Sequence, residues 1–215
     1  MFNPLAHTIN HNLFLLSPHR TMFWSNEQIL ILSDTHFGKT AHFRKAGIAI
    51  PNNILENDLQ KLSHDIDYFK PLKIIVVGDL FHSVANAENI VFANWRKQYN
   101  NIPFILVQGN HDILAKIWYT NANITVVKDA LKIKNFLFVH DIKVPLNDTY
   151  TFCGHIHPGI TLKGKGKQSI RLPCFYFKSN YAILPAFGYF TGLIVQRITK
   201  SERAFAIAGG EVVAV

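Results

Sequence analysis

The chain has 215 residues, about the length of one domain, and its 48% apolar and 17% charged residues exclude an intrinsically disordered protein. The formal net charge of +8 favours anionic partners, such as nucleic acid or phosphorylated small molecules. Two cysteines are too few for a disulfide framework and no stretch has the pattern of a signal peptide or membrane span, so we expect one cytoplasmic domain, residues 1–215, without membrane contact.

Short apolar runs bounded by Gly, Pro, Asn or Asp predict strands through much of the chain. These runs cover residues 13–16, 21–24, 29–32, 73–77, 103–107, 124–127, 131–139 and 150–153. Apolar residues at helical spacing predict helices over 55–69 and 91–99 and a short one within 112–119. After residue 159 we expect strands and turns, over 169–178, 181–184, 192–198 and 204–215. This order predicts an α/β domain of two mixed sheets packed face to face.

Five of the predicted strands end in side chains that can bind a metal. The residues concerned are Asp34 and His36, then Asp79, then Asn110 and His111, then His140, and finally His155 and His157. Because ligands bind beyond the carboxyl ends of the strands in open α/β sheets, we expect these side chains to converge. We also expect Gly78, Gly109 and Gly154, which precede them, to let the chain turn tightly.

The donor set predicts a pair of divalent metal ions. Carboxylate and amide oxygens with imidazole nitrogens, and no thiolate, suit manganese, iron or zinc in a hydrolytic site. Two carboxylates, one asparagine and four histidines exceed what one tetrahedral ion needs. Two ions about 3.5 to 4 Å apart that share a ligand are a recurrent device for phosphoester hydrolysis. Taken singly, Asp79 is better explained as a turn residue or helix cap, Asn110 as a turn residue and His140 as a polar strand end, so the prediction rests on the ordered set.

The ordered set resembles the calcineurin-like metallophosphoesterase superfamily, whose pattern is Asp-x-His, Gly-Asp, Gly-Asn-His-Asp/Glu, a lone His and Gly-His-x-His. The resemblance implies a four-layered β-sandwich with flanking helices and a dinuclear centre. It implies that three residues hold one metal, three hold the other, and one bridges both. The first group is Asp34, His36 and His157, the second is Asn110, His140 and His155, and the bridge is Asp79. Manganese is the expected metal, with iron or zinc as alternatives.

One departure from the phosphatase pattern concerns His82. Many phosphatases of the superfamily have Gly-Asp-x-x-Asp-Arg, whereas this chain has Gly-Asp-Leu-Phe-His from Gly78 to His82, which resembles nucleases of the SbcD type. The segments 34–51 and 78–83 are similar to the bacterial ligase-associated DNA-damage-response metallophosphoesterases (PdeM-like). This likeness implies a nuclease or phosphodiesterase in DNA repair, with repair proteins as candidate partners. The alternative for His82 is a hydrogen bond to a helix start.

His111 and Asp112 are the remaining candidates for catalysis. His111 follows the candidate ligand Asn110 and is not itself assigned to a metal, so it is available to protonate the leaving oxygen as a general acid. We expect Asp112 to orient that imidazole. The alternatives are that His111 only binds phosphate and that Asp112 caps the next helix. We expect the other five histidines to be ordinary surface residues: His7, His11, His19, His42 and His64.

Three functions remain open from the sequence. A DNA-processing phosphodiesterase is favoured by the net charge, by His82 and by the resemblance. A small-molecule phosphatase or nucleotide pyrophosphatase is the alternative, since no added DNA-binding domain is evident. A metal-free binding scaffold is disfavoured because no ligand position is missing. The alternating lysines and glycines of residues 163–167 predict either a cationic turn that contacts backbone phosphates or a solvated hairpin tip.

Overall fold

A computed structural model describes residues 2–45, 47, 49–51, 53–82, 86–142, 149–166 and 168–215. In the first half, the strands are β1 Leu5–Ile9, β2 Asn12–Leu16, β3 Met22–Trp24, β4 Ile29–Leu32, β5 Lys73–Val77, β6 Phe104–Val107 and β7 Ile124–Val127. The helices are α1 Lys39–Lys45, α2 Ile54–Phe69, α3 Ala87–Gln98 and α4 Lys116–Asn121. The later strands are β8 Ala130–Ile133, β9 Phe136–Val139, β10 Tyr150–Cys153, β11 Pro158–Lys163, β12 Ser169–Phe177, β13 Tyr181–Ile183, β14 Ile194–Val195, β15 Arg203–Ala208 and β16 Glu211–Ala214.

The first sheet places three of the predicted ligand loops at one edge. Its strands lie in the order β1 to β7, antiparallel from β1 to β4 and parallel from β4 to β7. Leu32 pairs with Val76, and Val76 pairs with Leu106, so β4, β5 and β6 end almost level. The loops that follow these strands therefore start side by side.

The second sheet supplies the other two ligand loops. Its main path is β14-β11-β12-β13-β10-β9-β8, and the hairpin of β15 and β16 pairs with β12. β9 and β10 run parallel, so their carboxyl ends also meet at one edge. The run expected as one strand over 131–139 is a hairpin instead, because Lys134 has a left-handed φ of 51° and turns the chain between β8 and β9. The sequence did not predict β1, α1 or β11.

Apolar layers hold the sheets and helices together. Aromatic side chains of both sheets, including Phe14, Trp24, Phe136 and Phe152, are packed between the sheets. On the other face of the first sheet, α2 contributes the predicted stripe of Leu55, Leu59, Leu62 and Ile66, and α3 and α4 pack beside it. The predicted fold class, two mixed sheets with flanking helices, is confirmed.

Two further features of the fold are its free cysteines and the character of its helices. Cys153 and Cys174 are free and buried in the second sheet. None of the helices in the described ranges has both the length and the apolar character that crossing a membrane requires.

Candidate metal centre

The first cluster of the site joins the loop after β4 to the loop after β10. The ligand atoms of Asp34, His36 and His157 all lie within 4.8 Å of one another. His36 Nε2 is 3.2 Å from His157 Nε2, and His157 Nε2 is 3.4 Å from Asp34 Oδ1. Two donors that bind one ion at about 2.1 Å stand roughly 3.0 to 3.4 Å apart, so this spacing fits a shared cation.

The second cluster combines the loops after β5, β6, β9 and β10. Asp79, His140 and His155 have their ligand atoms within 4.8 Å of one another. His140 Nε2 lies 3.0 Å from Asn110 Oδ1, 3.2 Å from His155 Nδ1 and 3.4 Å from Asp79 Oδ2. The structure therefore brings Asn110 into this group with the three other candidates.

Asp79 lies between the clusters. Its Oδ2 is 3.8 Å from His36 Nε2 of the first cluster and 3.4 Å from His140 Nε2 of the second. Its Oδ1 accepts a hydrogen bond of 2.8 Å from the His111 backbone N–H, which fixes the carboxylate and leaves Oδ2 directed at both groups. This geometry fits one carboxylate shared by two ions.

The carboxylate of Asp34 is oriented in the same way. Its Oδ2 accepts hydrogen bonds from the Ser33 hydroxyl at 2.5 Å and from the His155 backbone N–H at 3.0 Å. Oδ1 then faces His157. Ser33 is a residue that the sequence analysis did not single out, although its place between a strand and a candidate ligand was visible. Outer hydrogen bonds of this kind fix the direction of a metal ligand.

The buried floor of the site is anionic and favours cations. Burial lowers the pKa of His36 to about 3, so this imidazole is neutral and able to ligate. Burial also lowers the pKa of His140, but its hydrogen bond with Asp79 and the charges of Asp79 and Asp34 raise it to about 9. The carboxylates that favour a proton on His140 equally favour a metal cation at the same place.

The backbone of the ligand loops adopts an uncommon conformation. Five of the seven candidate ligands have φ between 47° and 66°, in the left-handed region: Asp34, His36, Asp79, His155 and His157. Such residues cost free energy and persist where the surrounding structure fixes them, typically at functional sites. Hydrogen bonds from Asp34 N to Gly78 O and from His36 N to Asp79 O hold two of these loops together.

The glycines before the ligands serve both turning and close packing. Gly78 has φ of 80°, as the sequence analysis predicted for a tight turn. Gly109 and Gly154 are outside the left-handed region, although their carbonyl groups accept the turn hydrogen bonds from Asp112 N and Ile156 N. A Cβ at Gly154 would overlap Ser33 Oγ and Asp34 Oδ2, and one at Gly109 would overlap Asp79. Both glycines allow backbone to approach a ligand carboxylate.

His111 and His82 stand together at the edge of the clusters. The His111 ring lies 5.3 Å from the His36 ring and is stacked at 5.1 Å on the His82 ring, measured between centroids. His111 Nδ1 lies 3.0 Å from the backbone oxygen of His82, so it donates to that carbonyl. His82 thus holds His111 through its backbone and its ring.

Asp112 has a different role from the predicted one. Its buried carboxylate accepts backbone N–H groups of Asp79 and Gly109 at 2.8 Å and of Phe81 at 3.2 Å, whereas His111 Nδ1 is bonded to His82. Burial raises the pKa of Asp112 to about 7, against the effect of these N–H donors. It is also not a helix cap, because α4 begins at Lys116. Asp112 ties the loop after β5 to the loop after β6.

Cationic and aromatic side chains border a cleft of about 590 Å³ beside the centre. Its lining includes Arg20, Lys39, Phe43, Arg171, Tyr189 and Phe190. Lys39 and Phe190 also line a smaller cavity with His36, so the cleft adjoins the metal ligands. Tyr189 and Phe190 could not be predicted from the sequence, because they are far from every motif.

Two of the predicted cationic residues lie away from the centre. Lys163 and Lys165 are exposed at the tip between β11 and β12. Lys167 and the side chain of His42 lie outside the described residues. His19 and His64 were expected to be ordinary surface residues. This expectation is wrong, because both contact the buried carboxylate of Asp65.

Known proteins similar to this chain are found by family and by structure. The model of the calcineurin-like phosphoesterase family matches residues 28–181. The crystal structure of the Pseudomonas putida nuclease MPE is similar, with a TM-score of 0.83, 26% sequence identity and coverage of 100% of both chains. The E. coli phosphoesterase Yfce gives a TM-score of 0.46 and 10% identity over 87% of this chain and 97% of that chain. No curated protein matches.

Proposed function

Because the chain belongs to the calcineurin-like phosphoesterase family and is a hydrolase of phosphoester bonds, we propose that it is a nuclease that cleaves phosphodiesters of DNA. We further propose that it acts in DNA repair and uses two divalent metal ions, with manganese as the first choice. The similarity to a Pseudomonas putida nuclease along the whole of both chains supports the choice of nucleic acid.

The observation that carries the choice of substrate is the cleft beside the metal centre. Lys39 and Arg171 place positive charge along it, where they can contact backbone phosphates. Phe43, Tyr189 and Phe190 offer rings on which bases can stack, and Tyr189 and Phe190 are 63% and 39% exposed. A small phosphate ester is too short to contact these charges and rings together, whereas a nucleic-acid strand can contact all of them.

We assign the metal ligands by cluster. Asp34, His36 and His157 would hold one ion, Asn110, His140 and His155 the other, and Asp79 Oδ2 would contact both. Bound there, the two ions would lower the pKa of a water and offset charge that develops on the phosphate oxygens.

The chain itself supplies the proton for the leaving oxygen. The carbonyl of His82 fixes His111 Nδ1 as a donor, which leaves Nε2 as the ring nitrogen available to a bound substrate. A protonated His111 can then give its Nε2 proton to the departing oxygen as a general acid. Asp112 contributes indirectly, because it holds the loops that carry Asp79 and His111 in one arrangement.

A manganese-dependent assay of the purified protein tests the proposal. The substrates are single-stranded DNA, duplex DNA, a panel of nucleotides, and bis-aryl and mono-aryl phosphates. We expect cleavage of DNA and of the bis-aryl diester, and little release from the monoester. An Asp79→Asn variant is the control for contaminating nucleases. Hydrolysis of nucleotides or monoesters with intact DNA would instead support the small-molecule alternative.

A further inference from the structure

A third group of metal-ligating side chains lies where the turn between β2 and β3 meets α2. The ligand atoms of His19, His64 and Asp65 are all within 4.8 Å of one another. Asp65 Oδ1 is 2.7 Å from His19 Nδ1 and 3.3 Å from His64 Nδ1. The shorter contact is a hydrogen bond, so an ion would replace its proton and separate these two atoms to the roughly 3.0 to 3.4 Å found between ligands of one ion. None of these residues belongs to the centre described above, so the group needs its own explanation.

The carboxylate of Asp65 is fixed and fully buried. Its Oδ2 accepts hydrogen bonds from the hydroxyls of Ser17 at 2.8 Å and Thr21 at 2.6 Å, which leaves Oδ1 directed at the imidazoles. Within the described residues its ion-pair partners are the two histidines alone, with no lysine or arginine. A buried carboxylate needs a compensating charge, and metal coordination is one of the ways in which proteins provide it.

The imidazoles are held in place yet remain accessible. The His19 backbone N–H donates to Ser17 Oγ at 3.0 Å, which fixes the turn that carries this ring. The ring of Phe2 packs 5.0 Å from His19 and 4.4 Å from His64, between centroids. The His19 and His64 side chains are 25% and 46% exposed, and both line a cleft of about 680 Å³. An ion can therefore enter from solvent without displacing the core.

We propose that His19, His64 and Asp65 form a separate zinc site that links the β2–β3 turn to α2. Two imidazole nitrogens and one carboxylate oxygen, with the fourth position open to water, are a donor set that zinc adopts in proteins. The hydroxyls of Ser17 and Thr21 act as the outer partners that orient the ligand carboxylate. Because the ion bridges two elements, its binding stabilises the folded chain.

Zinc counting on single-histidine variants tests this site. The parent protein, His64→Gln and His19→Gln are dialysed against the same free zinc concentration, and zinc per chain is measured by elemental analysis. His11→Asn is the matched control, since it removes an exposed imidazole elsewhere and asparagine tolerates the left-handed φ of 61° found there. We expect each of the first two variants to bind one zinc fewer than the parent and the control.

Thermal unfolding separates a zinc site from a purely structural hydrogen bond. If zinc binds here, adding it raises the unfolding midpoint of the parent and control more than that of His64→Gln and His19→Gln. If the three residues have only a structural role, the unfolding midpoint of both variants is lower than that of the parent, and adding zinc does not change this difference. Equal zinc counts in all four proteins, together with equal zinc-induced shifts, would overturn the proposal. Two independent variants keep the test valid if one of them fails to fold.

Discussion

His111 is positioned from two directions, by the carbonyl and by the ring of His82. We predict that His111→Ala lowers turnover by ~10² to 10⁴, the usual contribution of a general acid, and leaves metal content unchanged. A good leaving group needs little protonation, so activity on a diester with such a group should be largely retained. Steady-state kinetics on a series of aryl diesters, with elemental analysis of the variant, makes the measurement.

The alternative role for His111 gives a different pattern. If it only binds phosphate, the loss is the same for poor and good leaving groups. That result would remove the general-acid assignment and leave the metal clusters as they are.

Gly154 lies against the buried carboxylate of Asp34. We predict that Gly154→Ala reduces metal affinity, because the added Cβ would overlap Ser33 Oγ and Asp34 Oδ2 and displace the ligand. Overpacking of this kind also costs about 1 to 3 kcal/mol of stability. Gly164→Ala is the matched control, since its Cβ would meet nothing nearer than Gln168 at 3.7 Å. Metal titration and thermal unfolding of both variants check this, and equal behaviour would show that the packing at Gly154 is unimportant.

At the scale of elements, Asp112 joins the loop after β5 to the loop after β6. We predict that Asp112→Asn lowers stability by about 1 to 3 kcal/mol, because an amide group cannot accept all three backbone N–H donors. Activity should fall by a similar factor on poor and good leaving groups, in contrast to His111→Ala. A leaving-group dependence in the Asp112 variant would revive the interpretation that Asp112 acts through the imidazole.

Two pairs of cationic residues near β11 can be compared, a cleft pair and a tip pair. Lys39 and Arg171 line the cleft beside the centre, and Arg171 lies opposite Thr161, roughly 13 Å along the strand from His157 at ~3.3 Å per residue. Lys163 ends β11 roughly 20 Å from His157 on the same measure, and Lys165 follows it in the turn. We call Lys39 and Arg171 the near pair. We predict that neutralising the near pair flattens the dependence of log affinity for DNA on log salt by about 1.4 to 1.8 units, at ~0.7 to 0.9 per phosphate contact. In both pairs the two residues are changed to glutamine. The Lys163→Gln and Lys165→Gln variant at the tip should leave this slope almost unchanged.

Binding measured by fluorescence anisotropy over a range of salt concentrations compares the two pairs. Hydrolysis of a small bis-aryl diester is the control in both variants. If the tip variant reduces the slope of log affinity against log salt and the near-pair variant does not, the DNA contacts the β11–β12 turn and not the cleft.

The sequence was sufficient to predict the ligand positions where an apolar strand is followed closely by a metal-binding side chain. β4, β5, β6, β9 and β10 each end at a polar residue behind an apolar run, so both the strands and their shared edge were predictable. The division of 131–139 was not, because Lys134 gives no sign of a left-handed turn. The stacking of His111 on His82 and the three bonds of Asp112 depend on loops that meet only in the folded chain. Local pattern carries no information about such contacts.

At the scale of the molecule, the centre requires both sheets. The first sheet provides Asp34, His36, Asp79 and Asn110, and the second provides His140, His155 and His157. The aromatic layer between the sheets therefore sets the distance between the two halves of each cluster. The hydrogen bond from the His155 backbone N–H to Asp34 crosses this boundary. A pair of metal ions would in turn hold the sheets together, so metal and fold support each other.

Anomalous diffraction from crystals of the protein loaded with manganese is the most direct test of the two-metal account. We predict two anomalous peaks per chain, about 3.5 to 4 Å apart. One should lie among Asp34, His36 and His157, the other among Asn110, His140 and His155, with Asp79 Oδ2 in contact with both. A single peak at saturating manganese, or peaks that Asp79 does not join, would contradict the account.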